Sequence, residues 1–317
     1  MRVVCPPPIS EWVSELRRRA VSEEALEHTM AIILALGAVA LWAVTLVLAK
    51  VGLARMDAIA YGFVRPLLAS ILLLPYVALT AGFAVPSISV LLLACLGGII
   101  DMYIGVALFM YAMKRVSAHE AGPLSNTAPL WGVIAAAVWL RESPELSTYA
   151  AALLVVIGSC LLTVQGRGVG RRHGVARGLL AALGTGLCWG VADTAIAKYC
   201  LTHGMHRATL HLTYMAAAAC CWGVTALLRG RFRREFYAWS GLRIALITTL
   251  TGMVGGMLIW FIALDLAPAN VLAPIRGALT IFIFLLSIVF LHERPTRRAG
   301  IGVGLVAAGV AWVAFYG

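Results

Sequence analysis

Ten times along the chain a run of roughly 19–25 apolar residues appears, near 30–49, 58–80, 88–112, 120–140, 146–165, 176–198, 208–228, 242–264, 271–291 and 298–316. Each is long enough to cross about 30 Å of hydrocarbon as a helix rising about 1.5 Å per residue. Alternating strand patterns are absent, and helices satisfy their own backbone polar groups in lipid. The pattern predicts an all-α integral membrane protein with ten transmembrane helices. With 62% hydrophobic and 12% charged residues, the 317-residue chain is far more apolar than a soluble core requires.

The net charge of +11 would point to nucleic acid in a soluble protein. Here the Lys and Arg residues lie almost entirely in short loops between spans, where orientation and lipid headgroups account for them. The expected partners are the bilayer and a small-molecule substrate, with no nucleic acid, and the chain is either a monomer or a homodimer. The seven cysteines show no CxxC spacing and fall mostly inside spans. His203, His206 and His211 lie around a loop far from carboxylates that would complete a metal site. No disulfide framework, metal or cofactor is expected. Residues 1–29 are read as a tail. In it Ile9, Trp12, Val13 and Leu16 recur at helical spacing beside Arg17, Arg18 and Arg19, which fits either a short interfacial helix or a disordered segment.

The chain repeats itself. Ala118, Pro123, Leu140, Glu142 and Pro144 recur at a constant offset as Ala269, Pro274, Leu291, Glu293 and Pro295, and "WAVTLVLAKVGL" (42–53) resembles "WGVADTAIAKYCL" (189–201). Residues 30–165 and 174–317 read as two copies of one five-helix unit. An odd number of spans per copy sends the second copy into the membrane from the opposite side, giving two inverted repeats, an arrangement found in transporters. On these features the chain resembles the drug/metabolite transporter superfamily in its two-copy EamA-domain form. The resemblance rests on the Trp42 to Lys50 and Trp189 to Lys198 patterns, on "YGFVRPLLAS" in the second helix, and on "LRESP" and "LHERP" closing the fourth helix of each copy. It implies a multi-pass protein of the cell membrane that exports small metabolites, and it marks Arg65 as a packing or gating element without a counterpart in the second copy.

Loops following helices 1, 3, 5, 7 and 9 carry sixteen Lys/Arg against three on the other side. By the positive-inside rule this places both termini outside. The family resemblance implies the reverse, so the orientation stays open at this point.

Four ionisable residues fall inside spans, where each costs about 2.5–3.5 kcal/mol on insertion scales and therefore needs an account. Arg65 precedes Pro66. Asp101 shares a helix face with Gly97 and Gly105. Asp193 lies one turn past Trp189, where the first copy has Leu46. Arg276 follows Pro274, with Thr280, Ile283 and Ser287 at helical spacing, where the first copy has Ser125, Pro129, Gly132 and Ala136. Asp193 and Asp101 are candidate proton carriers, since a carboxyl in an apolar span readily holds a proton. Arg276 is expected to face a central cavity, its fork suited to a carboxylate or phosphate on the substrate or to Asp193 in the empty state. Trp42, Trp189, Tyr103, Tyr214, Trp260 and Asn126 are the further candidates for lining it.

A secondary transporter moving a small metabolite by alternating access is the leading functional class. No Walker motif is present, His119-Glu120 lacks the second histidine of a zinc protease, and no paired-Asp motif appears, so no enzyme activity is expected. A non-transporting sensor or a membrane-embedded enzyme on the same fold is the alternative.

Overall fold

A computed structural model describes residues 9–81, 83–116, 124–163, 174–291 and 296–316, which are helical throughout apart from short turns. Helix α1 runs unbroken from Ile9 to Arg55. It therefore begins inside the expected tail and, at 47 residues, extends about 70 Å, well beyond what hydrocarbon requires. The segments that follow are α2 (Ala58–Thr80), α3 (Ile88–Met113), α4 (Ala128–Trp139), α5 (Leu146–Thr163), α6 (Val175–Thr202), α7 (Arg207–Leu228), α8 (Trp239–Leu266), α9 (269–291) and α10 (Arg297–Tyr316). Eight of the described helices are long and apolar enough to cross a membrane, while Ala128–Trp139 and Leu146–Leu161 are shorter apolar helices.

Polar side chains set several helix starts. Asp57 accepts from the Ile59 and Ala60 amides and Ser87 from the Val90 amide, satisfying donors that a helix leaves free. The α9 start is capped from another helix end, because both Glu142 carboxylate oxygens accept from it, at 3.0 Å from the Ala269 amide and 2.8 Å from that of Asn270. The counterpart expected of Glu293 lies outside the described residues, as do the His119-Glu120 pair and the repeat markers Ala118, Pro123 and Pro295.

Three helices widen to π geometry, over Ile99–Gly105 in α3, Val191–Ile196 in α6 and Thr249–Gly256 in α8. A π turn misplaces carbonyl oxygens, and in an apolar interior each needs a new donor. Side chains supply them. Trp222 donates to Met102, Tyr214 to Ala192, Trp260 to Asp193, Trp42 to Gly252 and His211 to Met253. At about 1 kcal/mol net for each bond, these contacts hold the widened turns in register.

Close backbone contact locks the helices together. A Cβ on Gly158 of α5 would lie 2.7 Å from the Gly302 carbonyl oxygen, and one on Gly309 of α10 would lie 2.6 Å from that of Ala151. Moving forward along α5 thus corresponds to moving backward along α10, so the pair packs antiparallel through its small residues. Trp42 lies against Gly256 and Trp189 against Gly105, each ring 2.7–2.9 Å from where a Cβ would stand.

Candidate functional site

Between α1, α2, α3, α6, α8 and α9 lies a cavity of about 110 Å³, room for several water molecules. Its walls are mostly apolar, with Leu46, Met102, Val106, Phe109 and Met110 among them, yet all four intramembrane ions border it: Arg65, Asp101, Asp193 and Arg276.

Two local irregularities aim the central pair. Pro274 cannot donate a backbone hydrogen bond, and α9 tightens to a 3₁₀ turn over Arg276–Ala278 just after it. On α6 the π turn carries Asp193. The Arg276 Nη1 meets the Asp193 carboxylate in a buried ion pair and donates to the Trp189 carbonyl at 3.3 Å. Its guanidinium carbon stands 5.1 Å from the Trp42 ring centre and 5.7 Å from that of Trp189. One cation is thus held by a carboxylate and two aromatic faces, interactions that strengthen when water is excluded.

Asp101 differs. It is fully buried, and among the described residues no donor reaches either carboxylate oxygen. Arg65 is 8% exposed. Its Nη2 makes a long 3.4 Å bond to the Thr248 carbonyl, its Nε has no partner among the described residues, and its charge lies 5.2 Å from the Tyr61 ring centre. Tyr61 is itself held by a 2.8 Å bond to the Thr248 hydroxyl.

Of the residues singled out in the sequence, the cavity brings together Arg276, Asp193, Asp101, Arg65, Trp42 and Trp189. The other four do not border it, and each bonds a neighbouring segment instead. Tyr103 bonds the Thr225 hydroxyl at 2.7 Å and packs edge-on to Trp222. Tyr214 and Trp260 stand behind the α6 π turn, donating to its carbonyls at 2.7 and 2.8 Å. Asn126 donates to Ser159 at 2.9 Å and to the Thr280 hydroxyl. Tyr61 and Phe109 border the cavity although they are not among the sequence-based candidates. Helical spacing could have found both, since Tyr61 lies one turn before Arg65 and Phe109 extends the Gly97, Asp101, Gly105 face by one step.

A bundle of apolar helices enclosing a small, ion-bordered cavity defines a membrane protein built around an internal polar site. The EamA-like transporter family matches residues 29–164 and again 176–315, so the chain belongs to that family and carries its domain in two tandem copies. It is a multi-pass membrane protein of the drug/metabolite transporter type, a class whose members are transporters rather than enzymes. No curated protein matches the chain. One solved crystal structure, of a chain described only as "protein", superposes with a TM-score of 0.74 over 90% of this chain and 96% of the other, at 19% identity. That likeness shows a shared fold.

Proposed function

We propose that the protein is a secondary transporter, an exporter or exchanger in the cell membrane, of a small metabolite such as an amino acid or organic anion. Ten helices would form two inverted halves, residues 30–165 and 174–317, behind a tail of residues 1–29, and rock about the central cavity. The antiparallel packing of α5 on α10 supports the inverted arrangement, since the Gly158–Gly302 contact has the Gly309–Ala151 contact as its counterpart in the repeat.

The observation that carries the reading is the buried Arg276–Asp193 pair with Asp101 beside the same cavity, neither of its oxygens hydrogen-bonded among the described residues. Ions buried in membrane spans are costly and therefore mark functional sites, and here they border the cavity that Trp42 and Trp189 also line. Asp193 and Asp101 are proposed as proton carriers. Asp101 is ready to take a proton directly, whereas Asp193 must first release Arg276.

Reconstitution into liposomes tests this. A pH gradient should drive uphill movement of substrate, and Asp101→Asn or Asp193→Asn should abolish it while leaving exchange partly intact. Uphill movement by both variants at the parent's rate would remove the proton role. Ligand binding without any flux would make the protein a sensor.

A further inference from the structure

The two ends of the bundle differ around the central cavity. From Arg276 and Asp193 the cavity runs toward the ends of α1 and α3, where Leu53 and Met110 still line it, close to Arg55 and Met113. At the opposite end the two copies are fastened together. Glu142, just past the end of α4, accepts from the Ala269 and Asn270 amides of α9 at 3.0 and 2.8 Å, so a carboxylate of the first copy holds a helix start of the second. Trp139 of α4 and Tyr199 of α6 meet beside it, their ring centres 5.9 Å apart. Next to this clasp lies a depression of about 380 Å³, bordered by Trp139, Glu142 and Lys198 and by the exposed Arg141 and His203.

The clasp depends on a strained turn. Arg141 has a φ of 56°, a left-handed conformation that is costly for a residue with a Cβ and persists where the surroundings impose it. It lets the Glu142 amide close on the Ala136 carbonyl at 3.2 Å, ending α4 and sending the carboxylate to α9. Location makes the bonds reversible. Amides in the first turn of a helix have no partner within the helix, and an anion is favoured there. At the membrane face, water can serve both amides and carboxylate once they part, so opening costs less than breaking a polar contact inside the bundle. We propose that Glu142 is the gating residue of this face. Its two bonds hold α4 against α9 while the cavity is reached from the α1 and α3 ends, and their release opens the route from the depression to the cavity. Lys198 stays bonded to the Leu264 and Ala267 carbonyls, all within the second copy, and moves with α8 and α9 as one body. The proposal rests on the transporter reading and assigns its gate on one face.

Val133 of α4 and Ala273 of α9 are buried in one cluster, deeper in their helices than the clasp, and parting α4 from α9 exposes them. The reporter is Val133→Cys. Val116→Cys, buried against α6 at the other end of the bundle, is the control, and both replace valine by a smaller side chain. The purified protein in detergent is treated with a charged methanethiosulfonate, and each position is followed by mass spectrometry of its own peptide, so the native cysteines stay in place. A hydrogen bond to a charged group is worth about a factor of ten or more in an equilibrium. In Glu142→Gln, labelling at position 133 should therefore rise about tenfold, with no rise at position 116. Glu142→Asp, still charged but one methylene shorter, should raise it by a smaller factor, and it decides the matter if Glu142→Gln fails to fold.

Labelling at position 133 unchanged in a folded variant, or rising equally at both positions, overturns the proposal, because the glutamate is then only a helix cap. Failure of the transporter reading looks different: labelling would respond selectively at position 133, yet no compound would exchange across a liposome membrane.

Discussion

Helices α1 and α6 start from nearly the same sequence and end in different geometries. Each carries a tryptophan, Trp42 or Trp189, packed on a glycine of the other copy, Gly256 or Gly105. Each carries a lysine further on, but the interval is eight residues from Trp42 to Lys50 and nine from Trp189 to Lys198. α1 continues as a regular α-helix, whereas α6 absorbs the extra residue in the π turn Val191–Ile196. A π turn spends one more residue per hydrogen-bonded ring than an α turn. Asp193 sits on that turn opposite Arg276. The shared features build the enclosure and the differing ones charge it.

The most drastic way to break the comparison is to make the second copy resemble the first. Asp193→Leu, which copies Leu46 of the first repeat, leaves Arg276 buried without its ion-pair partner. It should lower stability by about 3–5 kcal/mol, read as a fall in melting temperature of the purified protein. Adding Arg276→Ser, the counterpart of Ser125, should recover most of that loss, because a buried pair replaced as a whole is often neutral. A double variant no more stable than Asp193→Leu would mean that the pair is not the unit.

The shared framework is tested by filling the glycines under the tryptophans. Gly256→Ala and Gly105→Ala should each cost about 1–3 kcal/mol, the usual range for overpacking. Gly256→Ala should cost more, because Trp42 must also stretch its 3.2 Å bond to the Gly252 carbonyl. A milder probe is Arg276→Lys, which keeps the charge but loses the planar group lying between Trp42 and Trp189. A loss of about 1–2 kcal/mol in melting experiments is expected, and no loss would show that charge alone suffices.

The smallest effect comes from a pair of equivalent glycines further out. Nothing lies within 4 Å of a Cβ placed on Gly37 of α1, while one on Gly184 of α6 would meet Leu108 at 3.2 Å. Gly37→Ala should gain about 0.5–1 kcal/mol from helix propensity. Gly184→Ala should gain less, since Leu108 has to give way.

Much of this architecture is legible in the amino-acid sequence. Apolar runs locate the helices, and the cost of charge in lipid picks out four ions that all border one cavity. The pairing of Arg276 with Asp193 follows from the need of each buried charge for a neutralising partner. The widened turns are harder to read, because apolar periodicity does not distinguish an α turn from a π turn. Even so, the one-residue difference between the Trp42–Lys50 and Trp189–Lys198 intervals records the widening in α6. Tyr214 and Trp260 read as lining residues because aromatic side chains line cavities and brace backbones equally well. Their donors face carbonyls freed by the π turn, and that geometry exists only once α6 has bulged.

The central claim is that an added residue and two added ions turn a nearly symmetric enclosure into a transport site. It is tested most directly by counterflow in liposomes, using whichever compound from a panel of amino acids, nucleosides and organic anions most raises the melting temperature. With the parent chain, labelled compound should accumulate transiently in vesicles preloaded with unlabelled compound. The folded Asp193→Leu, Arg276→Ser double variant should show no such overshoot. An overshoot of parental size in that variant would contradict the account.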